Sequence, residues 1–147
     1  MWSGSWHLHW LVGLSVLLQS FNFEEMTWLA IFIGGGLGSL ARYGFGIVAG
    51  KMYAGPFPLG TFLSNLASCV ILGFAILFFA SRSQVSEAYK ALILVGFCGG
   101  FSTFSTFSNE TLELMKSGEW GWVIANVVLS LAVCLGVLYV FSKFQSA

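Results

Sequence analysis

The chain has 147 residues, a length suited to one domain. Only 8% of its residues are charged and 57% are apolar, where a soluble domain carries about 25% charged residues, so the sequence cannot cover a water-facing surface and belongs to an integral membrane protein. Six basic and six acidic residues cancel to zero net charge with no basic run, which leaves no electrostatic footprint for nucleic acid.

In chain order, the first 25 residues form an N-terminal extension ahead of a four-helix unit at 26–147. Trp2, Trp6 and Trp10 repeat every fourth residue, with Leu14 and Leu17 continuing the same helical face. Tryptophan favours the membrane interface, so an interfacial helix is expected. A signal peptide fits less well without a positive leading region, and a true start at Met26 is an alternative. His7 and His9 lack a third ligand and make a weak metal site.

Four stretches then reach the roughly 20 apolar residues that cross a bilayer: about 28–50, 58–80, 88–116 and 120–142. Pro58 suits a first helical turn. The short connections predict antiparallel neighbours, and the unbroken apolar runs argue against a β-barrel. Lys and Arg flank the two sides almost equally: Arg82, Lys90 and Lys143 against Lys51, Lys116 and Arg42. The positive-inside rule therefore favours neither orientation. Either a partner fixes the topology, or the protein inserts both ways, in which case four-helix subunits can assemble as antiparallel dimers.

Polar side chains at bilayer depth face a partner or a water-filled cavity. In the first span Gly34 and Gly38 form a GxxxG pair suited to close helix packing. Arg42 follows, either snorkelling to the interface or standing at a pore mouth as an anion attractor. In the second span Thr61, Asn65 and Ser68 share one face. Helix–helix hydrogen bonding and ligand binding are equally compatible with that spacing. In the fourth span Asn126, Ser130 and Cys134 repeat at i, i+4, i+8. Two polar stripes on different helices suggest a lined path. Cys69, Cys98 and Cys134 lie in apolar segments and read as free thiols. With no Asp and few titratable groups in the spans, the acid–base toolkit of an enzyme is nearly absent.

The third span holds GFCGGFSTFSTFSNE at 96–110. Gly99-Gly100 is poor helix sequence, and Ser102, Thr103, Ser105 and Thr106 offer the backbone other hydrogen bonds. A break near the bilayer midplane is expected there. Such a break frees carbonyls that attract a cation and N–H groups that attract an anion. Phe101, Phe104 and Phe107 fall three apart; ordinary packing explains such spacing, but ring edges also carry positive partial charge that suits a small anion.

This motif, with GGGLGSLARY at 34–43 and GTFLSNLASCVILG at 60–73 in the same order, resembles the Fluc/CrcB family of fluoride channels. The resemblance covers nearly all of 28–142. It implies an all-α fold of four transmembrane helices, the third broken, in a dual-topology antiparallel homodimer of the cell membrane. It further implies passive fluoride export through two pores and a structural sodium ion (Na+) at the dimer centre. Carried over residue by residue, Gly99 and Ser102 would give main-chain carbonyls to sodium. Phe104, Phe107 and Asn65 would line the fluoride pore, with Thr61, Ser105 and Thr106 in the same polar surroundings. Arg42 would stand at a vestibule, Glu110 closes the third motif, and Ser130 and Cys134 occupy the fourth-helix polar track. The family commonly has Thr at Ser102 and Ser or Thr at Cys134; a thiol is the weaker donor. A proton-coupled four-helix exporter and a non-transporting assembly subunit are the competing readings. Only Glu110 and Glu113 lie within the third span to serve the former.

Overall fold

The computed structural model describes the backbone of residues 6–82 and 84–145, with side chains from residue 24 onward. The described residues are helical throughout, apart from short connections. Helix α1 spans Trp6–Met52 and α2 spans Leu59–Ala80. A third segment begins with α3 (Glu87–Lys90). It continues through a wider π-helical stretch (Ala91–Phe97) and α4 (Cys98–Phe101), then resumes as α5 (Phe104–Lys116). Helix α6 spans Trp120–Gln145. Among the described residues four stretches are long and apolar enough to cross a membrane: Glu24–Met52, Leu59–Ala80, Glu87–Lys116 and Trp120–Gln145. The protein is a multi-pass membrane protein.

Helix α1 runs through residue 26 without interruption. The side chains of Trp2, Trp6 and Trp10, and of the His7–His9 pair, lie outside the described residues. Pro58 stands at the N-cap of α2, one residue before its first turn. Having no N–H to orphan, it costs the helix start nothing. Helix α5 ends in a Schellman motif: the Gly118 N–H donates to the Met115 carbonyl (3.1 Å) and the Glu119 N–H to the Leu114 carbonyl (3.0 Å). Gly118 takes φ +76°, a left-handed conformation that a Cβ disfavours. That turn reverses the chain within three residues and lays α6 against α5.

The distribution of polarity is inverted relative to a soluble protein. Buried residues include Thr61, Ser64, Ser68, Thr103, Thr111, Asn126 and Ser130, while Trp28, Phe32, Leu40 and Tyr43 are exposed. Hydrocarbon outside and hydrogen-bonded groups inside is the arrangement that lipid imposes.

Glycines set how closely α1 meets the third segment. A Cβ at Gly34 would strike the Leu92 carbonyl, and one at Gly38 the Phe97 carbonyl. From the other side, a Cβ at Gly100 would strike the Gly35 carbonyl. The GxxxG pair therefore brings backbone to backbone, as its spacing predicts. The first half of the third segment packs on α1, whereas α5 packs on α6, with α2 touching both halves. The break between α4 and α5 is where the segment changes partners.

Candidate functional site

Two residues separate α4 from α5. Ser102 (φ −75°, ψ 158°) and Thr103 (φ −153°, ψ 120°) are both extended. They lie at the centre of the Glu87–Lys116 stretch, where the glycines and hydroxyls predict a break. Extended backbone at such depth must find hydrogen-bond partners within the protein.

The polar stripe of α2 supplies them. The Asn65 side chain bridges the main-chain N–H and carbonyl of Thr103, which belong to successive peptide groups. The Thr103 N–H donates to Asn65 Oδ1 at 2.7 Å, and Asn65 Nδ2 donates to the Thr103 carbonyl at 3.3 Å. About one turn away, Thr61 Oγ1 donates to Glu110 Oε1 (2.8 Å). On the other side, Ser68 Oγ donates to the Cys98 carbonyl (2.8 Å). The stripe thus fastens the third segment on both sides of the break and at the break itself. Of the two roles left open for Asn65, helix–helix hydrogen bonding is the one visible here. Its side chain also lines the cleft described below.

The break leaves both kinds of backbone group in excess. In an unbroken helix the Thr103 N–H would bond the Gly99 carbonyl; here that N–H goes to Asn65, so the Gly99 carbonyl loses its helical donor. Gly99 is exposed, with open space where a Cβ would stand. The Cys98 carbonyl, by contrast, accepts from the Ser102 N–H (3.0 Å), the Ser102 hydroxyl (2.9 Å) and Ser68. On the far side of the break Thr103 caps α5, its Oγ1 accepting from the Thr106 N–H at 3.2 Å. Thr103 Oγ1 also donates to Thr106 Oγ1 (3.0 Å) and meets Ser105 Oγ at 3.3 Å. The N–H groups of Phe104 and Ser105 begin α5, where the positive end of the helix dipole lies.

A cleft of about 250 Å³ opens at this point. Asn65, Ser102, Phe104, Phe107, Ser130 and Cys134 line it, joined by Cys69, Thr103 and Leu131. The Phe104 and Phe107 rings stand 5.9 Å apart with planes 31° from parallel. Phe104 is 79% exposed on this single chain. Behind Phe107 runs a buried chain of hydrogen bonds. Thr111 Oγ1 donates to the Phe107 carbonyl (2.7 Å), Asn126 Nδ2 donates to Thr111 Oγ1 (2.9 Å), and Ser130 Oγ donates to Asn126 Oδ1 (3.4 Å). Asn126, on the α6 stripe, therefore serves the scaffold, while Ser130 and Cys134 reach the cleft.

A larger cleft of about 670 Å³ gathers Arg42, Thr61, Thr106 and Glu110, with Tyr43, Tyr53 and Ser64 among its other walls. The sequence-derived residues thus fall into two groups: Arg42, Thr61 and Thr106 in this cleft, and Asn65, Phe104, Phe107, Ser130 and Cys134 in the other. Ser105 lies on the exposed face of α5, and Gly99 is exposed as well. Two residues gain importance from the structure. Thr103 is the pivot of the break, signalled only by its position before a resumed helix. Glu110 receives the Thr61 hydroxyl, and its Oε2 is buried with no hydrogen-bond partner.

The family model for CrcB-like protein, Camphor Resistance (CrcB), matches residues 29–141. The chain belongs to the CrcB family. Relatives in it carry the name fluoride-specific ion channel FluC. That of Serratia proteamaculans is 43% identical over 104 residues, covering 71% of this chain and 81% of the relative. That of Pectobacterium carotovorum is 42% identical over 106 residues, covering 72% and 83%. FluC 1 of Yersinia pestis is 39% identical over 126 residues, covering 82% and 97%. These CrcB relatives are named as ion channels and not as enzymes, in line with the scarcity of acid–base groups in the spans.

Proposed function

We propose that the protein is a passive, fluoride-selective channel of the cell membrane that lets fluoride leave the cytoplasm. The observation that carries this reading is the broken third segment: the N-terminus of α5, two phenylalanine rings and the Ser130 hydroxyl around one cleft. Fluoride is small and strongly hydrated, so a pore must replace its water with many donors. Arg42 in the larger cleft would raise the local anion concentration. The Asn65 amide, the Thr106 hydroxyl and the edges of Phe104 and Phe107 would then take over from water in sequence, joined by the hydroxyls of Ser130 and Thr61 if each turned from its present acceptor, Asn126 or Glu110, to the ion. No single site should bind so strongly that the ion fails to leave. A narrow path between ring edges would also reject the larger chloride.

The functional unit would be a dual-topology antiparallel homodimer with two pores. The exposed hydroxyls of Ser105 and Ser108 and the amide of Asn109 support it. They lie within a membrane-spanning stretch, where a polar face calls for a partner or a water-filled cavity. The balance of basic residues between the two sides supports insertion in both orientations. A sodium ion fits the outer face of the break. The Gly99 carbonyl has lost its helical donor, and the extended conformation of Ser102 takes its carbonyl out of the helical ladder. Main-chain oxygens are hard ligands that suit such an ion, and a second copy would complete its coordination.

One observation favours a proton-coupled exporter instead: the buried, unpartnered Oε2 of Glu110. Fluoride release from liposomes under a fluoride gradient alone separates the two. A channel needs no pH gradient; an exporter that exchanges protons does.

A further inference from the structure

We propose that Cys69 on α2 and Cys134 on α6 form a two-thiol site for a soft, two-coordinate metal ion such as Hg2+, set in the wall of the candidate pore. Helices α2 and α6 pack directly on each other. Cys69 stands on one of these helices and Cys134 on the other. Both line the 250 Å³ cleft with Phe104, Phe107 and Ser130, and both are partly exposed, so an ion in the cleft can reach them. Cys98 is different: it is 3% exposed, lies beside Ser68 and does not line the cleft.

The coordination chemistry follows from what surrounds the pair. Among the described residues no group of three or more His, Cys, Asp or Glu could hold a metal ion. Zinc, which takes four ligands, has no site here. Soft thiolates suit soft ions, and a closed-shell ion content with two ligands in line needs nothing further. Binding displaces one proton from each thiol and forms two metal–sulfur bonds, with no change of oxidation state. The gain over a single thiol comes from the second sulfur being held at high effective concentration.

The site stands on the geometry of the thiols; its effect on transport rests on the pore reading above. The test uses the purified full-length protein with one equivalent of mercuric chloride, followed by excess glutathione as a competing monothiol. Native mass spectrometry should show one Hg2+ retained per subunit with loss of two protons. Cys69→Ser and Cys134→Ser should each surrender the ion at a glutathione concentration at least about 10-fold lower, the difference between two-point and one-point attachment. Cys98→Ser should behave as the unaltered protein. Equal retention in Cys69→Ser and Cys134→Ser, or loss in Cys98→Ser, would overturn the site. In liposomes, Hg2+ should arrest fluoride release from the unaltered protein, each variant being compared with its own metal-free rate. Retention of Hg2+ with undiminished fluoride release would overturn the placement in the pore while leaving the thiol site standing.

Discussion

Replacing Asn65 by Ala removes its hydrogen bonds to the N–H and to the carbonyl of Thr103 at the centre of a membrane span. Thr103 is 7% exposed, so water does not readily replace them. One lost bond is short (2.7 Å) and one is long (3.3 Å). Interhelical hydrogen bonds in membranes average about 0.6 kcal/mol and reach about 1.7. Taking the short bond near the upper value and the long one near the mean gives a loss of about 2 kcal/mol. Ser68→Ala in the same stripe is the internal comparison. The Cys98 carbonyl keeps two donors from Ser102 when Ser68 is removed, so the cost should stay near the mean of about 0.6 kcal/mol. Reversible unfolding in mixed micelles, read by circular dichroism, measures both. Asn65→Ala should fall below Ser68→Ala by more than about 1 kcal/mol, the margin left by those two estimates. Equal stabilities would refute the reasoning that Asn65 holds the break closed.

Gly34→Ala and Gly38→Ala each press a methyl into a backbone carbonyl of the third segment; each should cost about 1–3 kcal/mol, as overpacking does, read by the same unfolding assay. Gly99→Ala meets open space in the single chain. It should leave subunit stability unchanged but, if the proposed homodimer places the second copy on that face, reduce the dimer fraction in analytical ultracentrifugation in detergent. Gly118→Ala forces a Cβ into a left-handed conformation and should cost about 1–2 kcal/mol by thermal or chemical unfolding. Glu110→Gln retains an oxygen to accept the Thr61 hydroxyl, so a channel should still release fluoride from liposomes, whereas a proton-exchanging exporter should stop.

Much of this architecture is legible in the residues. The four apolar runs, the Gly34–Gly38 contact and the break at Ser102–Thr103 follow from composition, spacing and poor helix propensity. The α2 stripe is legible as a shared face of Thr61, Asn65 and Ser68. What it grips is not, because spacing within one helix says nothing about register against another. The same limit hides the roles of Thr103 and Asn126, whose importance arises only when α2 and α6 meet the third segment. The π-helical widening at Ala91–Phe97 is also silent in ALILVGF. That sequence is ordinary helix former, and the widened turns occur where Gly96 packs on the backbone of Ile31 and Gly34. Likewise, three cysteines in apolar runs look equivalent until the fold brings two of them to the wall of one cleft.

The most direct test of the channel reading is anion efflux from liposomes carrying the purified protein, with fluoride and chloride electrodes recording in parallel. Phe104→Ala is the variant to pair with it, because that ring is 79% exposed on the single chain and its loss should leave the subunit fold intact. The account predicts rapid fluoride release without chloride release from the unaltered protein, and near-complete loss of release in Phe104→Ala. Chloride leaving alongside fluoride, or fluoride release undiminished in Phe104→Ala, would contradict it.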